Sequence, residues 1–167
     1  QCETDVLIEG GVGMLGVEGH WIGIRDGDPR AAALYQRHYS ARPGVSMAQR
    51  IRYGMSGPGQ TMTLLTVDCH ALFIWLRNTI QRFDNQEGVN CTIFRNEGPV
   101  LSSALIQEAA DLAWQRWPGE RLFTYVWDAK IQSVNPGYCF KQAGWQACGR
   151  NKDGRLTILE RWPEIEE

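Results

Sequence analysis

The sequence predicts an α/β protein (α+β in a stricter scheme), and three features predict it. Short runs rich in β-branched and aromatic residues recur at 61–67, 71–76, 89–94 and 122–127. Apolar residues fall at helical spacing at Leu105, Ile106, Ala109, Leu112, Ala113 and Trp117. Turn chemistry separates these runs, at Asp26-Gly27-Asp28-Pro29, from Gly54 to Gly59, and at Asn135-Pro136-Gly137. A chain of 167 residues, 43% hydrophobic and 22% charged, has the size of one domain with a substantial core. The span 1–167 therefore reads as a single domain, with a Gly- and acid-rich stretch, 1–19, loose or peripheral.

Taken in order, Gly10-Gly11-Val12-Gly13 has no following Lys-Ser/Thr and reads as a loop or edge segment, not a phosphate loop. His20 to Arg25 alternates weakly and predicts a first strand. Asp28 is placed to cap a helix that has Pro29 at its first position and runs from about Arg30 to His38 or Tyr39. Ser46 to Tyr53 reads as a second helix or as a flexible basic arm. Strands Thr61–Val67 and Ala71–Leu76 follow, then a polar loop over 78–88 and a strand at Val89–Phe94. The amphipathic helix ends at Pro118-Gly119. A strand at 122–127, a short helix from Tyr138 to Ala143 capped by Gly144, and strands at 145–150 and 155–161 around Lys152-Asp153-Gly154 complete the chain.

Charge and cysteine usage narrow the function. The net charge is −2, yet no Asp or Glu occurs between Pro29 and Val67, where Arg30, Arg37, Arg42, Arg50 and Arg52 lie. That segment is either a phosphate-attracting surface or a solvated helix face. Five cysteines without a CxxC pair indicate neither a disulfide framework nor a cysteine zinc site, and fit a reducing, cytoplasmic setting. No apolar run approaches the roughly 20 residues that span a bilayer, so no membrane partner is expected. His20 and His70 show no partner spacing and read as structural.

The chemistry-bearing residues are His38-Tyr39-Ser40, the loop Arg95-Asn96-Glu97-Gly98-Pro99-Val100, Asp128 and the stretch Asn135 to Trp145. A strand, a glycine-bearing loop and a helix N-terminus offer backbone N–H groups and a positive dipole end, which suit a pyrophosphate. Asp128 reads either as a turn cap or as a base, and Tyr138 either as core or as a proton donor.

These segments resemble the GNAT superfamily of acyl-CoA N-acyltransferases. The resemblance implies a mixed, mostly antiparallel sheet flanked by helices, with acetyl-CoA or another acyl-CoA as cofactor. It implies cofactor contacts from Phe94, Arg95, Asn96, Gly98 and Val100, continuing through Leu101, Ser102 and Ser103 and joined by Asn135. Val100 replaces the small residue that usually closes the loop motif, and Phe140 stands where the usual thiolate-protonating Tyr is found, with Tyr138 two residues earlier. The order His38-Tyr39-Ser40, Arg95, Asp128, Tyr138 is similar to the phage Mu Mom-like DNA-modification proteins. That similarity implies acylation-type chemistry on a nucleobase amine in DNA. It puts His38 and Tyr39 at the acceptor, Arg95 on the coenzyme phosphate, and Asp128 with Tyr138 at the reacting centre. Arg42, Arg50 and Arg52 would hold nucleic acid, and His38 with Asp128 an iron or other divalent metal. Two alternatives stay open: a GNAT enzyme acting on a small amine or protein lysine, and a catalytically inactive GNAT-fold binding module.

Overall fold

A computed structural model describes residues 19–131 and 135–165; the expected loop at 10–13 lies outside the described residues. The elements in order are β1 (Trp21–Ile24), α1 (Pro29–Gln36), α2 (Met47–Tyr53), β2 (Gln60–Thr66), β3 (Ala71–Arg77) and β4 (Val89–Asn96). They continue with α3 (Ser102–Arg116), β5 (Leu122–Trp127), one 3₁₀ turn at Asp128–Lys130, α4 (Tyr138–Gln142), β6 (Gln146–Arg150) and β7 (Leu156–Arg161). The fold is α+β. Its seven strands lie in the order β1-β2-β3-β4-β5-β7-β6, antiparallel throughout except where β4 pairs with β5. That parallel pair is joined by α3, the crossover a parallel connection requires.

Local chemistry explains the helix boundaries. Asp28 accepts from the Arg30 N–H at 2.9 Å, and Pro29 takes the first helical position. The segment at 46–53, open between helix and arm, is a helix because Ser46 and Gln49 form a reciprocal capping box. Gly54, at φ 81°, ends it where an added Cβ would meet the Asp26 carboxylate at 2.6 Å. That carboxylate accepts from the Met55 and Ser56 N–H groups, so the turn is closed by Asp26.

The sheet is covered on both faces. Leu65, Leu72, Ile74 and Ile93 pack with Ala31, Leu34 and Tyr35 of α1. On the opposite face, Leu64, Phe73, Trp75 and Leu122 pack with Leu105, Ile106, Ala109 and Ala113 of α3. Two indoles fasten α3 to the sheet, Trp21 Nε1 donating to Leu105 O at 2.8 Å and Trp75 Nε1 to Ala109 O at 2.9 Å. Both tryptophans are buried, so each N–H needs such a partner.

The site depends on one irregularity. In β4 the register against β3 slips, with Ile74 opposite Ile93 but Trp75 opposite Cys91, which leaves Thr92 as a bulge. The β4–β5 ladder stops at the same level, at Cys91 opposite Thr124. Beyond it both strands continue, β4 to Asn96 and β5 to Trp127, without pairing to each other. The bulge bends β4 away, and the two parallel strands part.

Candidate functional site: the gap between β4 and β5

The gap is a cavity of about 340 Å³, walled by Thr92 and Phe94 of β4, Thr124 and Val126 of β5, and Tyr138, Cys139 and Phe140 of α4. At its closed end the Thr124 hydroxyl donates to the Cys91 carbonyl at 2.9 Å. A side chain thus donates to the backbone group where the ladder stops. The floor is aromatic: Phe140 meets Phe94 edge-on at 5.9 Å and Trp145 at 5.1 Å. Gly137 turns the chain into α4 at φ 75°. A Cβ there would lie 2.6 Å from Leu159 Cδ1, so only glycine lets α4 seat against β7.

His38 and Tyr39 bridge the mouth. Their rings are stacked at 4.3 Å with a 31° tilt. The Ser40 backbone N–H donates to His38 Nδ1 at 3.1 Å, and the Ser40 hydroxyl lies 2.7 Å from the same atom. Nδ1 is therefore the acceptor nitrogen and Nε2 carries the proton. Burial, and next the nearby Arg95 charge, push the His38 pKa down to about 4, while a hydrogen bond with the Phe94 backbone opposes them. Tyr39 is coupled to the other strand. Burial of its hydroxyl raises its pKa, against a hydrogen bond from the Trp127 backbone. The dipeptide thus engages β4 through His38 and β5 through Tyr39, just where those strands have lost each other.

The expected cofactor loop is built from its own side chains. Asn96 Nδ2 donates to Val100 O at 2.7 Å and reaches Ser102 Oγ at 3.0 Å, while its Oδ1 accepts from the Gly98 N–H at 3.0 Å. Gly98 abuts the β2–β3 turn, where a Cβ would lie 3.0 Å from His70 Cβ. Leu101, at the N-cap of α3, offers no side-chain cap, so the first turn at Ser102 and Ser103 keeps its backbone N–H groups uncapped by side chains. Arg95 pairs with Glu97 and donates to the Arg37 carbonyl at 2.8 Å. Glu97 also accepts from Arg37 at 2.9 Å, and these two arginines hold its pKa near 2. A phosphate at Arg95 would have to compete with that carboxylate.

The structure brings some expected residues together and separates others. His38, Tyr39, Phe94, Asn135 and Tyr138 line the one cavity. Asn135 Oδ1 accepts from Lys141 Nζ at 2.8 Å, tying the turn to α4. Asp128 does not line it. Its carboxylate accepts from the Thr157 hydroxyl at 2.9 Å and pairs with Arg150 at 3.3 Å, on the side of β7 and β6. Among the described residues no carboxylate lines the cavity.

Two further groups, expected at phosphate and at a metal, have protein partners in the structure. Arg50 does not present its charge to phosphate: it is 5% exposed, donates to the Arg42 carbonyl at 3.0 Å and lies 4.7 Å from the Tyr35 ring centre. Of the three arginines expected on nucleic acid, Arg42 and Arg52 are exposed. His38 Nδ1 is engaged by Ser40, and the Asp128 carboxylate by Thr157 and Arg150. Among the described residues no group of three or more His, Cys, Asp or Glu could hold an ion.

Thr92, Thr124, Cys91 and Cys139 were not anticipated. Thr124 carried a legible signal, as a hydroxyl at a core-facing position of an otherwise apolar strand. The cysteines carried none. Burial raises both thiol pKa values and keeps the thiols neutral. No helix among the described residues is long and apolar enough to cross a membrane. No protein-family model matches this chain, and no curated protein does either.

Proposed function

We propose that the β4–β5 gap binds the extended arm of an acyl-CoA and that the chain transfers the acyl group to an amine. The parting of two parallel strands carries this reading. It leaves strand edges facing each other across a narrow apolar slot, and an extended chain bearing amides can hydrogen-bond such an edge as another strand would. The uncapped first turn of α3 follows β4 directly, and a helix start of that kind suits a pyrophosphate.

The acceptor is an amine on an aromatic ring, of the kind a nucleobase in DNA carries. An alkylammonium must lose a proton before it can attack, and a carboxylate commonly takes it. Among the described residues this cavity has no carboxylate, and His38 offers an N–H toward Phe94 with its lone pair held by Ser40. An exocyclic ring amine is already neutral at pH 7. As its nitrogen bonds the thioester carbonyl and the carbon–sulfur bond breaks, the proton lost from nitrogen ends on sulfur. Tyr138, half exposed at the cavity wall, or the Tyr39 hydroxyl relays it. A base within a duplex would be extruded to reach the slot, with Arg42 and Arg52 on the flanking phosphates.

One observation favours a second reading, a binding module without turnover: Phe140 fills the position of the usual proton-donating tyrosine. Nucleoside mass spectrometry of DNA incubated with the protein and acetyl-CoA separates the two. The acyltransferase reading expects a base adduct, whose yield falls roughly 100-fold in Tyr138→Phe if that hydroxyl is the proton donor. Bound acetyl-CoA with no adduct on DNA or on a panel of free amines would leave the binding module.

A further inference from the structure

At the end of the sheet away from the open gap, the β3–β4 loop presents an aromatic side chain to solvent from a stiff frame. Phe83 is 99% exposed and Ile80 66%. The residues on either side of Phe83 are anchored inward. Arg82 pairs with Asp84 at 3.0 Å, and the Tyr125 hydroxyl on β5 bonds Asp84 and accepts from Arg82 at 3.2 Å. Arg82 also lies over the Phe123 and Tyr125 rings. The turn is closed by Asn85 N–H to Arg82 O at 3.1 Å and Gln86 N–H to Asp84 Oδ1 at 3.2 Å. Arg82 and Asp84 therefore face the protein, while Thr79, Ile80, Gln81, Phe83 and Asn85 face outward, with Glu87 the exposed charge at the end of the loop.

A second apolar pair leaves the same end of the sheet after β7: Trp162, 55% exposed, and Ile165, 90% exposed. Arg121 ties the two segments together, donating to Gln86 Oε1 and Glu87 O, each at 3.0 Å, and pairing with Glu160 of β7. An aromatic anchor on a pre-ordered loop, with the flanking Arg82 and Asp84 paired to each other and Glu87 and Glu164 at its rim, has the composition of an interface centre and loses little entropy on docking. The lack of outward positive charge argues against nucleic acid or an anionic membrane as the occupant.

We propose that Ile80, Phe83, Trp162 and Ile165 form the contact through which a second copy of this chain docks, related by a twofold axis. The area suits a weak dimer of that kind: two aromatic and two isoleucine side chains at these exposures offer roughly 500–600 Å² per copy, and about 1,000–1,200 Å² across the pair, the size of weak specific interfaces. A twofold contact between identical patches is the commonest closed arrangement of identical chains. The proposal is independent of the acyl-transfer reading.

Sedimentation velocity on the full chain from about 1 to 100 μM tests it. The expected result is a concentration-dependent shift toward twice the chain mass, unchanged in high salt because no charge pair is central. Phe83→Ser should return the protein to one chain mass with an unaltered circular dichroism spectrum. Val67→Ser, a change of an apolar residue 71% exposed at the opposite end of the sheet, should leave the dimer intact. A wild-type protein that stays at one chain mass throughout overturns the proposal, and so does a dimer that Phe83→Ser leaves intact.

Discussion

His38 holds its proton on Nε2 and its lone pair against Ser40, and both choices have a consequence for acid stability. Its folded pKa, about 4, lies below the ordinary 6.5. Between those values the unfolded chain binds the proton and the folded chain does not, so stability rises with pH across that window. The contribution is fully present above pH 6.5 and is lost as pH falls toward 4. Allowing for partial exposure, it amounts to about 1–2 kcal/mol. Urea unfolding at pH 7 and pH 4.5 should show that difference in the wild type, and His38→Gln should remove most of it. Thr124 makes a separate prediction. Thr124→Val leaves the buried Cys91 carbonyl without its donor, at a cost of about 1–3 kcal/mol read from the denaturation midpoint. A cost below half a kcal/mol would mean that the hydroxyl does not close the ladder.

At the scale of elements, the helix ends and strands were legible because they rest on local chemistry. Asp28 and Pro29 start α1, Asn135-Pro136-Gly137 turns toward α4, and alternation or continuous apolar runs mark the strands. The gap was not legible, because it arises from a register slip. No residue type announces that Thr92 will bulge, and the loss of pairing between β4 and β5 is a relation between segments about 30 residues apart. Asp128 and Arg50 show the same limit. Their side chains are as polar as any catalytic or phosphate-binding group, and only packing decides that one meets Thr157 and the other lies under Tyr35. Gly137 tests the element that closes the slot. Gly137→Ala combines a positive φ with a clash on Leu159, and should destabilise by about 1–3 kcal/mol while loosening α4. Faster hydrogen exchange confined to 138–143 is the expected signature, and unchanged exchange there would contradict it.

The whole molecule is a sheet clamped between helices on both faces, with the clamping relaxed at one place. The Trp75 indole bond to α3 and the buried Trp75–Trp145 stack lie at the level of Cys91, the closed end of the gap. The parted ends of β4 and β5 are engaged instead by His38 and Tyr39, which a ligand lying along either strand would displace or join. The ligand proposed for this parting is an extended thioester arm. Hydrogen exchange with and without acetyl-CoA tests that assignment. Slower exchange is expected in peptides covering 92–96 and 125–127 and at the start of α3, with β2 and β6 unaffected. Saturating acetyl-CoA that changes nothing in β4 and β5, or protects a different surface, would contradict it.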